Sequence, residues 1–361
     1  IPTLASDFPP LRTVPSRMST LPTPPNELIG REEEVEALKQ LLLRQAVRVI
    51  TLTGPGGTGK SRLAIELAAG LAADFADGVY FVALGALSDP GLFASSIAMA
   101  LGLRENPARP VVESLKDSLQ DKHVLLVLDN FEQIVAAAPL LAALLAACAR
   151  LRVLVTSRVV LHLSGEQEYP VPPLRLPGPG SLPGPGALER YPAIALFVQR
   201  ARAVKPGFQL TGDNAPAVAR ICAQLDGLPL AIELAAARLK LLSPQAMLER
   251  LSSRLDFLKG GARDAPARHQ TLRQAIAWSY DLLTEDEKAF FRRLSVFTGG
   301  CTLEAAERVC GAAGGMDADA LDSVAALVDK SLLRQDAGLG EEPRFVMLET
   351  IREFGLECLK A

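Results

Sequence analysis

The sequence predicts an α/β domain whose parallel sheet is covered by helices on both faces, followed by an all-helical region and a helical unit closed by a small hairpin. Three observations predict it. Apolar runs of strand length alternate with helix-length segments over the first half of the chain. After a Pro- and Gly-rich stretch, Pro172 to Gly186, only helical periodicity remains. Near the C-terminal end, two short strand-like runs stand between helices.

In chain order, residues 1–25 are rich in Pro, Ser and Thr and read as a linker or extended arm. Val47–Thr53 is a buried strand. Lys60–Phe75 is a helix, because Leu63, Leu67 and Leu71 recur on one face. Val79–Leu84 is a second strand, and helices are expected near 91–102 and 112–121. Val124–Leu128 is a third strand and Val153–Thr156 ends a fourth. Between them Ile134 to Ala149 is strongly apolar, yet shorter than the roughly 20 residues that cross a membrane. It reads as a core helix starting near Pro139, where proline suits the first turn. Ligands of such sheets sit beyond the carboxyl ends of the strands.

The helical region has candidates at Ile194–Val204, Ala215–Leu225, Leu228–Leu241 and Pro244–Leu251. From Gln270, helices are expected at about 271–282, 285–294, 303–310 and 318–329, then strands Ser331–Gln335 and Arg344–Met347, then a helix from Glu349. Helices followed by a hairpin resemble a winged-helix unit. The expected division is an arm (1–25), a sheet domain (26–186), a helical domain (187–265) and a winged-helix domain (266–361).

The chain has 361 residues, 49% hydrophobic and 22% charged, with net charge −3. That balance gives no electrostatic reason to expect a nucleic-acid binder. Cysteines at 148, 222, 301, 310 and 358 lack metal or disulfide spacing and read as reduced thiols of a cytoplasmic protein. With three histidines, a histidine-based metal site is not expected.

The strongest chemical signal is Gly54-Pro55-Gly56-Gly57-Thr58-Gly59-Lys60-Ser61, which fits GxxxxGK[ST] between an apolar strand and an amphipathic helix. Glycines let successive N–H groups turn inward toward phosphate oxygens, and the helix N-terminus favours an anion. Lys60 supplies a charge to the β- and γ-phosphates, and the Ser61 hydroxyl ligates Mg²⁺. Arg62, next in the helix, is counted with this set. The second signal is Leu125–Asp129, an apolar strand ending in a carboxylate that can hold Mg²⁺. Asn130 follows it, an amide that cannot act as a base, so slow hydrolysis is expected. Glu132 is the nearest other acid and reads as a solvated helix-start residue. The third signal is Val153 to Arg158: a strand ending in Thr-Ser-Arg, with Arg158 placed to sense a γ-phosphate or to lie on the surface. Lys60, Asp129 and Arg158 are thus the candidate catalytic set.

GREEEV (30–35), TLTGPGGTGKSRLA (51–64), LLVLDNFE (125–132), LVTSR (154–158) and LDGLPLAIELAAARL (225–239) together resemble a STAND ATPase, the signal-transduction group that includes NB-ARC proteins and AfsR-type bacterial regulators. The winged-helix segments at 272–300 and 345–355 extend the resemblance to about residues 26–360. It implies an α/β P-loop NTPase domain, an α-helical lid domain and a winged-helix domain. It implies that Ile29, Gly30 and Arg31 line the adenine side and that Pro229 packs on the nucleotide from the lid. Met347-Leu348-Glu349 occupies the place of the family's Met-His-Asp motif, so a histidine contact to the β-phosphate is not carried over. The implied mechanism is a switch: ADP holds a closed, inactive form, and ATP opens it for homo-oligomerisation. An N-terminal effector (a cyclase or DNA-binding domain) and C-terminal sensor repeats would lie outside this chain.

Rival readings are an AAA+-like remodeller, a kinase, or DNA binding by the winged helix. A fast remodeller calls for an acid next to Asp129, and Asn130 stands there. A kinase calls for an arginine-bearing mobile lid, and this one is Ala-rich. Cations between 250 and 293 are interleaved with acids, as on a solvated helical surface, so direct nucleic-acid binding is not expected.

Overall fold

In the computed structural model the described residues are 19–24, 26–104, 109–178, 182–251, 258, 271–311, 319–336 and 342–360. The expected arm up to residue 18, with its segment DFPPLRT (7–13), the middle of the Pro172 to Gly186 stretch, and the cations Arg254, Lys259, Arg263 and Arg268 lie outside them.

Five strands form the sheet: β1 (Val49–Thr53), β2 (Val79–Ala83), β3 (Leu125–Asp129), β4 (Arg152–Thr156) and β5 (Glu166–Pro170). Their order is β2-β3-β4-β1-β5, with every pairing parallel. β1 and β3 are buried throughout, as strands covered on both faces must be. On one face, α1 (Glu32–Leu42) and α2 (Lys60–Gly70) set Leu38, Leu63 and Leu67 against Ile50, Leu52 and Val127. On the other, α3 (Phe93–Ala100), α4 (Val111–Leu119) and α5 (Ala138–Ala147) pack Phe93, Leu115 and Leu141 over Leu126, Leu128 and Val153. Pro139 does fall in the first turn of α5. Among the described residues no helix is long and apolar enough to cross a membrane.

In the sheet domain and its arm, three features depart from what the sequence predicts. Strand β5 has the polar sequence EQEYP and an edge position with one neighbour, so no apolar run announces it. The helix after the phosphate loop ends at Gly70, five residues before Phe75, which is buried beyond a turn. The arm is tied down where it is described: Ser19 bridges Val79, and the Thr20 hydroxyl accepts from Phe81 N at 2.8 Å, covering part of the β2 edge.

Among the described residues the remaining α-helices are α6 (Pro185–Leu188), α7 (Pro192–Val204), α8 (Ala215–Gln224), α9 (Pro229–Ala236), α10 (Pro244–Arg250), α11 (Leu272–Asp281), α12 (Glu285–Leu294), α13 (Leu303–Gly311), α14 (Ala320–Asp329) and α15 (Glu349–Lys360). A hairpin of β6 (Arg334–Asp336) and β7 (Arg344–Val346) precedes α15. The first of these strands starts three residues later than expected, because Ser331 turns at φ +56. One continuous apolar cluster runs from Leu188 through Phe197, Ile232 and Leu272 to Phe291 and Phe354. The helical region and the winged helix therefore share a core.

Candidate functional site

The carboxyl ends of β1, β4 and β3 converge on the phosphate loop. Gly57 and Gly59 turn through positive φ (+88 and +93), a backbone that L side chains rarely adopt. A Cβ on Gly57 would also lie 2.9 Å from the Leu230 side chain of α9. Leu230 N donates to Gly57 O at 3.2 Å, so the helical region closes directly over the loop. Gly59 is the N-cap of α2 and offers no capping side chain, leaving the first N–H groups of the helix to an external acceptor.

Lys60 is buried, and its Nζ donates to the carbonyls of Gly54 (2.6 Å) and Pro55 (3.1 Å). Burial and then the Arg158 guanidinium lower its pKa to about 8, against the opposing pull of Glu132 and Asp129. At the end of β3, Asp129 Oδ1 accepts the Thr156 hydroxyl at 2.6 Å, and that same Thr156 oxygen accepts from Asn130 N at 3.0 Å. Asn130 adopts φ +64, which turns the chain sharply at the strand end.

Glu132 corrects the reading of a solvated residue. It is 4% exposed, and its Oε1 lies 3.3 Å from Arg158 Nε. Its Oε2 is buried without a hydrogen-bond partner. Nor is Arg158 a surface residue. Its Nη1 donates to Ala275 O at 2.6 Å and Ser279 Oγ at 2.5 Å, both on α11. Ser331, between α14 and β6, donates its hydroxyl to Arg158 O at 2.8 Å and accepts from Gly54 N at 3.1 Å. The C-terminal helices thus hold both the phosphate loop and the arginine beside it.

Three cavities touch these groups: one of about 400 Å³ is lined by Gly54, Pro55, Glu168, Ser331 and Leu348, and the other two share residues of the phosphate loop and α9. The larger of these two, about 290 Å³, is lined by Gly56, Lys60, Ser61, Asn130, Glu132 and Arg158 together with Pro229 and Glu233. The smaller, about 60 Å³, is lined by Ile29, Arg31, Thr58, Arg62, Pro229 and Glu233 among others. Arg31 is buried and pinned: it donates to Glu34 Oε1 (2.6 Å), Pro172 O (2.5 Å) and Thr58 O (3.3 Å). It ties the segment before α1 to the loop, while Gly30 (φ +62) makes the tight turn that sets Ile29 at the cavity. The structure brings together every candidate the sequence offered. Gly30, Pro55 and Asp129 line neither of these last two cavities; Asp129 stands next to the lining residue Asn130. Pro55 and Thr58 shape the loop from within, where the Thr58 hydroxyl donates to Pro55 O at 3.0 Å.

Residues the sequence reading passed over are Thr156, Ser279, Ser331 and Glu233. Thr156 had a signal, the polar end of an apolar strand. Ser279 and Ser331 had none, since their partners lie more than a hundred residues away in the chain.

Residues 43–169 match the AAA domain family and residues 283–360 the winged helix-turn-helix domain family. The chain is 42% identical over 316 residues to Rv0890c of Mycobacterium tuberculosis, named for an inferred role as an HTH-type transcriptional regulator. That match covers 86% of this chain and 34% of the relative, so the chain spans about a third of that relative's length. It is 38% identical over 337 residues to the uncharacterized M. tuberculosis protein Rv0894, covering 92% of this chain and 81% of the relative. Among solved structures, a Walker-type ATPase of Pyrococcus abyssi superposes with TM-score 0.59 at 11% identity, covering 91% of this chain and 96% of that one. The ORC2 protein of Aeropyrum pernix superposes with TM-score 0.50 at 15% identity, covering 93% and 96%. With its parallel sheet, phosphate loop and closing winged helix, the chain belongs to the family of Rv0894, a P-loop ATPase domain joined to a C-terminal winged helix-turn-helix.

Proposed function

We propose that the chain is the nucleotide-dependent switch of a STAND-type cytoplasmic regulator, closed on ADP, opened by ATP for homo-oligomerisation, and slow in hydrolysis. One observation carries this reading. Arg158, beside the phosphate loop, is held by Ala275 O and Ser279 Oγ of α11, so a ligand at the loop and the C-terminal helices compete for one guanidinium. A γ-phosphate is a stronger partner for it than two neutral oxygens, whereas ADP offers none at that end. The two nucleotides therefore differ in what they do to the closed form, which is what a population shift requires.

The donor set suits a hard cation. The Ser61 hydroxyl lines the cavity, Asp129 ends β3 behind it, and the buried Glu132 Oε2 has no hydrogen-bond partner there. Ser61 and Asp129 would hold Mg²⁺, which would neutralise phosphate charge when bound. Asn130 beside Asp129, and Glu132 engaged with Arg158, both argue for slow turnover. The name of the relative Rv0890c supports a place in transcription regulation, with effector and sensor parts beyond this chain.

Denaturing the purified protein and resolving the released nucleotide by ion exchange tests this directly; retained ADP is the expected result. Turnover should be on the order of one per minute or less, far below the roughly 10 s⁻¹ of a median enzyme. Several turnovers per second would refute the switch. Lys60→Ala should abolish affinity for both ATP and ADP in calorimetry; unchanged affinity would refute the phosphate-loop assignment.

A further inference from the structure

Gly59, Arg62, Pro229 and Glu233 line both the cavity of about 290 Å³ and that of about 60 Å³, so they form the neck between them. The larger of the two holds the phosphate-facing groups Lys60 and Ser61, and the smaller is bounded by Ile29 and Arg31. In any nucleotide the sugar joins base to phosphates. A nucleotide with its phosphates on the loop and its base toward Ile29 must pass its sugar through this neck.

The neck has its own polar chemistry. Glu233 is on α9, one helical turn after Pro229. Arg200 of α7 donates to it from Nε at 3.0 Å and Nη2 at 2.8 Å, both to Oε1, which leaves Oε2 for other donors. The Glu233 side chain is 39% exposed, so it is reachable from the cavity. Across the neck, Arg62 Nε is buried without a hydrogen-bond partner, an orphaned donor of the kind a ligand oxygen satisfies.

We propose that this neck is a ribose subsite that selects ribonucleotides: Glu233 Oε2 accepts from the sugar hydroxyls, and Arg62 Nε donates to an oxygen where sugar meets phosphate. Arg200 is a positioning residue that fixes the carboxylate. A carboxylate is acceptor-only, so it rewards a hydroxyl donor and gives nothing to the hydrogen that replaces it in a deoxy sugar. The inference rests on the nucleotide-binding reading.

The test is calorimetric titration of the full chain, freed of endogenous nucleotide, with ADP, 2′-deoxy-ADP and 3′-deoxy-ADP. The wild-type chain should bind ADP at least about ten-fold more tightly than one of the deoxy forms, as expected for a hydrogen bond to a charged acceptor. Glu233→Ala should bring that ratio to about one by weakening ADP alone, and Glu233→Gln and Arg200→Met should fall between. Melting curves identify any variant that fails to fold, and the isosteric glutamine variant then serves in place of alanine. A wild-type ratio near one overturns the subsite while leaving the phosphate loop standing. So does a wild-type ratio preserved in Glu233→Ala, which would make the Arg200 pair a brace of the helical region only. A wild-type chain that binds none of the three overturns the nucleotide reading as well.

Discussion

Glu132 is where local sequence and spatial surroundings disagree most. By its position after a strand it reads as solvated, yet it lies buried beside Arg158 with one oxygen unpaired. The unpaired oxygen is an open acceptor on a residue that lines the same cavity as Lys60 and Ser61. If hydrolysis uses an acid at all, this is the nearest one. Glu132→Gln should therefore lower the residual turnover by at least about ten-fold while ADP affinity stays within a factor of two or so. Equal turnover in a steady-state phosphate-release assay would leave Glu132 only the task of holding Arg158. The phosphate loop, Asp129 and the TSR end of β4 were legible because each is a contiguous pattern next to its strand. Glu132 was not, because its environment is made by Arg158, which lies past the end of another strand.

The same division holds for whole elements. The buried strands and the apolar helices were legible from periodicity, since burial on both faces demands continuous apolar runs. Strand β5 was not, because at the sheet edge its pairing comes from backbone groups rather than from apolar side chains. The LDGLPL segment shows a third case. Asp226 (φ +54) and Gly227 (φ +66) make the turn that the sequence announces. The Asp226 carboxylate also accepts from Glu349 N (3.2 Å), Thr350 N (3.0 Å) and Thr350 Oγ1 (2.9 Å), capping α15 from the helical region. An N-cap supplied by another element both satisfies the first N–H groups and fixes the helix in place. Asp226→Ala should cost about 1–2 kcal/mol in denaturant unfolding and raise hydrogen exchange selectively in α15. Loss confined to α8 and α9 would show that the turn, not the cap, is what matters.

At the scale of the molecule, the C-terminal winged helix raises the question of DNA. Its last helix before the hairpin, α14, presents Leu321, Asp322 and Ala325 to solvent beside its N-cap Asp319 and carries no lysine or arginine within its span. Lys330 at its end is paired with Glu287 at 2.5 Å. Asp329 lies 3.3 Å from His162 of the sheet domain. A helix that reads a major groove needs cations and base-edge donors on its open face, and phosphate contacts supply most of the affinity. This helix has neither on its exposed face, and the hydrogen bonds of Ser331 keep its end against the phosphate loop. The chain should give no shift with duplex DNA at low salt, whether loaded with ADP or with a non-hydrolysable ATP analogue. Ser279→Ala should instead change the protein itself. Removing one charge-assisted hydrogen bond of Arg158 weakens the closed form by about 1–2 kcal/mol, or roughly ten-fold in population. Bound ADP should then dissociate about ten-fold faster, and the ATP-analogue complex should run larger on gel filtration than the wild-type complex. Unchanged ADP release and unchanged size would mean that α11 merely rests on Arg158, and the competition between phosphate and winged helix would have to be abandoned.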